Sequence, residues 1–85
     1  MAEQESAAQR VRRVVAQLSP ARVPAAQSGD RLVEDLGYDS LAVLELAFAL
    51  EEEFGLPAIG MERAVHLTTV GDLEDLLDRL SRTEA

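Results

Sequence analysis

Cysteine, lysine and tryptophan are all absent from the 85 residues. Without cysteine the chain has no disulfide, no thiolate metal site and no sulfur nucleophile, and without lysine it has no Schiff-base amine. Aromatic residues make up only 4% of the chain, and almost no stretch alternates β-branched with polar residues, so sheet is disfavoured. Basic residues are outnumbered: eight arginines face sixteen acids for a net charge of −8. A phosphate backbone is repelled by such a chain, which excludes nucleic acid as a partner. No apolar run approaches the roughly 20 residues of a membrane span. The N-terminus MAEQESAAQR is acidic and polar where a secretory signal has a basic start and an apolar stretch, so the expected address is cytoplasmic and no membrane partner is expected. The length fits one domain over 1–85, with its core at about 3–81 and too little interior for a deep catalytic cleft.

What is present is helical periodicity at 47% hydrophobic content. Ala7, Val11, Val14, Val15 and Leu18 share one face of a helix predicted from about Glu3 to Leu18, which Ser19 and Pro20 end. From Pro20 to about Asp39 the period is lost among Pro20, Pro24, Ser28, Gly29 and Gly37, giving a long connection that Leu32, Val33 and Leu36 are expected to pin to the core. A second helix is predicted from Ser40 to about Phe54, with Asp39 as N-cap and Gly55 and Pro57 closing it. It carries two stripes, Val43, Leu46, Ala47, Leu50 and Phe54 on one, and Leu41, Leu44, Glu45, Phe48 and Glu52 on the other. Only one of them can face so small a core. A short helix is expected over Met61 to Val65. Thr69, with Asp72 three residues on, then opens a last helix on Val70, Leu73, Leu76, Leu77 and Leu80 to about Ser81, with a frayed tail. The fold class is all-α: a bundle of three longer helices and one short one.

The chemistry concentrates in Leu36-Gly37-Tyr38-Asp39-Ser40-Leu41, where a hydroxyl meets the first turn of a helix soon after a glycine. The unpaired N–H groups and positive dipole end of that turn favour an anionic group attached there, such as a phosphate ester. Asp39 and Ser40 taken alone are better explained as a plain helix cap, since such caps are common. A hydrolase nucleophile is not supported, because Tyr38 and Ala42 stand where a Gly-x-Ser-x-Gly elbow around Ser40 would have its glycines, and His66 is the only histidine. Asp72, Glu74, Asp75 and Asp78 read as the solvated face of the last helix and match no calcium-loop spacing, so no metal site is predicted.

The stretch from Leu32 through Glu34, Asp35, Gly37, Asp39, Ser40 and Leu41, with Leu44-Glu45-Leu46 and Leu50-Glu51-Glu52-Glu53-Phe54-Gly55 after it, resembles the acyl carrier proteins, the four-helix shuttles of fatty acid and polyketide synthesis. The likeness runs from about Asp30 to Leu80. It implies that Ser40, with Asp39 beside it, receives phosphopantetheine from coenzyme A, whose thiol supplies what a chain without cysteine lacks. It implies a non-catalytic, monomeric carrier whose partners are a phosphopantetheinyl transferase, a ketosynthase, an acyltransferase and tailoring enzymes. Their basic patches would meet Leu41, Leu44, Glu45, Phe48, Glu51 and Glu52. Between visits an acyl chain would rest against Leu46, Phe54, Ile59 and Val65.

Within that family, Gly37-Tyr38-Asp39-Ser40-Leu41-Ala42 followed by Leu44-Glu45 looks like the freestanding carriers of bacterial polyketide and antibiotic pathways. Ala42 stands where many fatty acid carriers have an acid, and the loop Gly55 to Leu67 holds only Glu62 beside Arg63. Fatty acid synthesis remains an alternative, then aminoacyl or peptidyl carriage. From a different class, an unmodified helical adaptor could use the Leu41, Leu44, Phe48 stripe to hold a partner.

Overall fold

The computed structural model describes residues 6–56, 59–64 and 66–83. Among them run four α-helices, α1 (Ala7–Leu18), α2 (Ser40–Phe54), α3 (Met61–Ala64) and α4 (Val70–Thr83), and no strand beyond an isolated antiparallel bridge between Arg31 and Thr69. The all-α bundle expected from the periodicity is the fold observed. No helix among the described residues is long and apolar enough to cross a membrane.

The three longer helices each begin where a side chain satisfies a first-turn amide. Ser6 and Gln9 form a reciprocal capping box, the Gln9 N–H donating to Ser6 Oγ (3.1 Å) and the Ser6 N–H to Gln9 Oε1 (2.8 Å), so α1 starts at Ala7. That corrects the predicted start at Glu3, which lies outside the described residues. The Thr69–Asp72 box opens α4 as expected: the Asp72 N–H donates to Thr69 Oγ1 (3.1 Å), and the Thr69 and Thr68 N–H groups donate to Asp72 Oδ2. These two amides hold the Asp72 carboxyl below the usual aspartate range. At the far end α4 continues two residues past the expected Ser81.

Packing centres on α1, which lies against both α4 and α2, while α3 rests on α2. Val11, Val14 and Val15 enter the core with Leu46, Leu50, Leu73 and Leu77, but Ala7 and Leu18, assigned to the same face of α1, are exposed at its ends. In α2 the stripe of Leu46, Ala47 and Leu50 turns inward, with Val43 and Phe54 at its margin. Glu74 is a further correction: it is not on a solvated face, because it accepts Ser28 Oγ (2.9 Å) and meets Arg12 Nη1 at 3.5 Å.

The long connection is a hydrogen-bonded block. Leu32 and Leu36 are buried as expected, whereas Val33, between them, is 58% exposed and pins nothing. Its backbone fastens to the start of α4 through Leu32 N to Thr68 O (2.9 Å), Val70 N to Asp30 O (3.0 Å) and Gly71 N to Ser28 O (2.8 Å). Within it the Arg31 N–H and guanidinium hold Asp35 below its ordinary range. The block ends at Tyr38, one residue before the cap of α2.

Candidate functional site

Ser40 is exposed at the first position of α2. Asp39 precedes it in an extended conformation and accepts twice, the Ala42 N–H on Oδ1 (2.8 Å) and the Val43 N–H on its carbonyl (2.9 Å). The cap thus fixes where the helix starts. No hydrogen bond ties the Ser40 hydroxyl to another described residue, so its oxygen is open to an incoming electrophile. The turn depends on Gly37, whose φ is +77° and where a Cβ would stand 3.2 Å from the Ala21 amide nitrogen. A side chain there would be strained in both backbone and contact.

Tyr38, 1% exposed, is a feature that sequence reasoning missed. Its hydroxyl donates to the Val15 carbonyl at 2.7 Å, and burial pushes its ionisation far above the ordinary tyrosine range. It anchors the turn that presents Ser40 to the end of α1.

On α2 the second stripe faces outward from Ser40. Leu41 and Phe48 are 64% and 58% exposed, Leu44 is half-buried, and Glu45 and Glu52 are exposed. Glu51, grouped with them in sequence, is drawn into the fold: its carboxylate accepts the Ile59 N–H at 2.6 Å and ties down the segment after α2. Glu53 is also engaged. Arg10 and Arg13 donate to its Oε2 at 3.1 and 3.3 Å, which holds its carboxyl below the ordinary glutamate range.

The residues expected to shelter an acyl chain do not open together. Leu46 and Ile59 are 1% and 3% exposed, closed into the core. Phe54 lies under the Arg10 guanidinium, 4.4 Å from ring centre to carbon, and Val65 lies outside the described residues. An open groove of about 670 Å³ runs instead between α3 and α4, with Leu67, Leu76 and Leu80 in it and the exposed His66 on its rim. Among the described residues no three His, Asp or Glu side chains converge as metal ligands would.

A protein-family model described as the phosphopantetheine attachment site matches residues 9–77. The chain belongs to that family. The match spans most of α1, the block, α2, α3 and most of α4, and makes the chain a phosphopantetheine-bearing carrier of the acyl carrier protein kind. Its prosthetic group is attached covalently, and carriers of this family are generally non-catalytic substrates of synthase and transferase enzymes. The residues present suit such a group. An unengaged hydroxyl at an exposed helix start offers a nucleophilic oxygen, and the positive end of the helix dipole would favour the phosphodiester formed there.

Proposed function

We propose that Ser40 carries the phosphopantetheine and that the carrier serves polyketide synthesis. The observation that carries the first part is the exposure of Ser40 at the start of α2, directly after the Asp39 cap. In the loading reaction Ser40 Oγ forms a bond to the phosphopantetheinyl phosphorus of coenzyme A, adenosine bisphosphate leaves, and the hydroxyl proton passes to a base of the Mg²⁺-dependent transferase. The arm then supplies a thiol on which acyl groups are held as thioesters. Asp39 keeps the helix start in place through both states.

Partner enzymes are proposed to dock on the outward stripe of α2. Leu41 and Phe48 give an apolar contact beside Ser40, Leu44 extends it, and Glu45 and Glu52 attract basic patches. Glu51 is left out of this surface because Ile59 holds it. A small rim-charged interface of this kind releases quickly, as a shuttle requires, and raised salt slows encounter. We further propose that the carrier acts as a monomer, in the cytoplasm where coenzyme A is at hand, with ketosynthase, acyltransferase and tailoring enzymes as later partners.

The polyketide reading rests on Ala42 in place of an acid beside the attachment serine and on the acid-poor Gly55 to Leu67 segment. Transfer of malonyl cargo from the loaded carrier to a polyketide ketosynthase and to a fatty acid ketosynthase, compared side by side, tests it. Preference for the polyketide enzyme is expected; preference for the other moves the carrier to fatty acid synthesis. Ser40→Ala tests the attachment itself, since it abolishes loading in a carrier and leaves partner binding intact in an unmodified adaptor.

A further inference from the structure

Two buried hydroxyls join the end of α1 to the turn before Ser40. In an uninterrupted helix the Val15 carbonyl would receive the Ser19 N–H, four residues on. Here the Ser19 N–H turns to Ala16 O at 3.4 Å, and Val15 O receives the Tyr38 hydroxyl at 2.7 Å. Ser19, itself only 5% exposed, donates its Oγ to the Leu36 carbonyl at 2.6 Å and accepts the Ala21 N–H at 3.2 Å. The Ala21 N–H also reaches Leu36 O at 3.3 Å. Between these two attachments sits Gly37, packed so close to Ala21 that a Cβ would meet its nitrogen at 3.2 Å.

Leu36 and Tyr38 are thus fixed from α1 on either side of Gly37, and the next two residues are the cap and Ser40. Neither Ser19 nor Tyr38 lies on the exposed stripe of α2, and both are buried, so an enzyme seated on that stripe has no access to them. The far end of α2 is held separately, through the grip of Arg10 on Glu53.

We propose that Ser19 and Tyr38 are positioning residues for Ser40, their buried hydroxyls setting the orientation of the attachment turn against α1 without touching the partner enzyme. The inference rests on Ser40 being the modified residue. Removing the Tyr38 hydroxyl takes from Val15 O the donor that replaces the helical one, and removing the Ser19 hydroxyl leaves Leu36 O only the longer bond from the Ala21 N–H; either change loosens the turn, while Leu41, Glu45, Phe48 and Glu52 stay in place on α2. Docking is then unchanged and only the productive alignment of Ser40 Oγ with the phosphorus is lost.

Tyr38→Phe and Ser19→Ala, with Ser19→Thr retaining the hydroxyl, are compared with the unaltered chain as substrates of a broad-specificity phosphopantetheinyl transferase, at a temperature where circular dichroism shows each folded. Amide exchange is measured on the unmodified proteins. The expected result is a fall in kcat of about tenfold for the first two variants at unchanged KM. Exchange should accelerate at Gly37, Tyr38, Ala42 and Val43 but not in α4, and Ser19→Thr should recover both readouts. Wild-type kcat in folded variants overturns the proposal, as does acceleration spread evenly into α4, which would mark a general loss of stability. Should Tyr38→Phe fail to fold, Ser19→Ala decides alone. An unaltered chain that takes no group at Ser40 overturns the functional assignment and this inference with it, whereas normal loading of all variants removes only this inference.

Discussion

Arg10 grips the last turn of α2 at three points: its guanidinium carbon lies 4.4 Å above the Phe54 ring centre, and its Nη2 donates to Glu53 Oε2 at 3.1 Å and to the Glu53 carbonyl at 2.8 Å. The carbonyl is one that a helix end leaves without an intrahelical partner. A side chain of the first helix therefore serves as a cap for the second, at the opposite end from Ser40.

Arg10→Ala should lower stability by about 1–2 kcal/mol from the ring contact and carbonyl bond together, leaving aside the exposed ion pair. For a domain this size each kcal/mol shifts the melting temperature by about 4–8 °C. Thermal unfolding followed by circular dichroism measures it, and Arg10→Lys, which keeps charge without the planar fork, should fall between. An unchanged melting temperature for Arg10→Ala would show that the grip adds nothing.

Acid should remove the charge-dependent part of the Asp72 cap. Its folded-state ionisation is depressed by the Thr69 and Thr68 amides, so its contribution is fully present above the ordinary value of 3.8 and is lost as pH falls from there through the folded value. Protonation also relieves the self-repulsion of a chain at −8, so the informative quantity is a difference. The gap in melting temperature between the unaltered chain and Asp72→Asn should be widest near neutrality and shrink below about pH 4. A gap constant with pH would contradict a charge-dependent cap.

The acids of α2 should separate by function although they share one helix. Glu45→Gln and Glu52→Gln should each raise the KM of a transferase severalfold at low salt, an effect that fades as salt screens the encounter. Glu53→Gln should leave KM unchanged and lower the melting temperature, because its carboxylate faces Arg10 and Arg13. Steady-state kinetics at two ionic strengths decides between these roles, and an equal KM effect at all three positions would refute the division.

These assignments show where local sequence stops being informative. The second helix was readable end to end because its signals are adjacent: Asp39 caps it and Gly55, at φ +64°, terminates it. The Thr69–Asp72 box was readable for the same reason. Ser6 and Gln9 carry an equivalent signal, but the polar residues before them are also tolerated in helices, so the local pattern does not mark where the first helix starts. Glu51, Glu53 and Glu74 look like neighbouring acids on solvated faces. Their partners, the Ile59 amide, Arg10 and Ser28, are brought in by tertiary packing and leave no mark in the local pattern. Tyr38 finds Val15 across 23 residues in the same way. The attachment motif is legible without the fold, whereas the structure that holds it in place is not.

The most direct test of the carrier assignment is the intact mass of the chain after incubation with coenzyme A, Mg²⁺ and a broad-specificity phosphopantetheinyl transferase, with Ser40→Ala treated in parallel and the modified peptide sequenced. The expected result is a gain of one phosphopantetheinyl group, on the peptide containing Ser40, in the unaltered chain alone. A folded, initially unmodified chain that gains nothing, or a Ser40→Ala chain that gains the same mass, would contradict it.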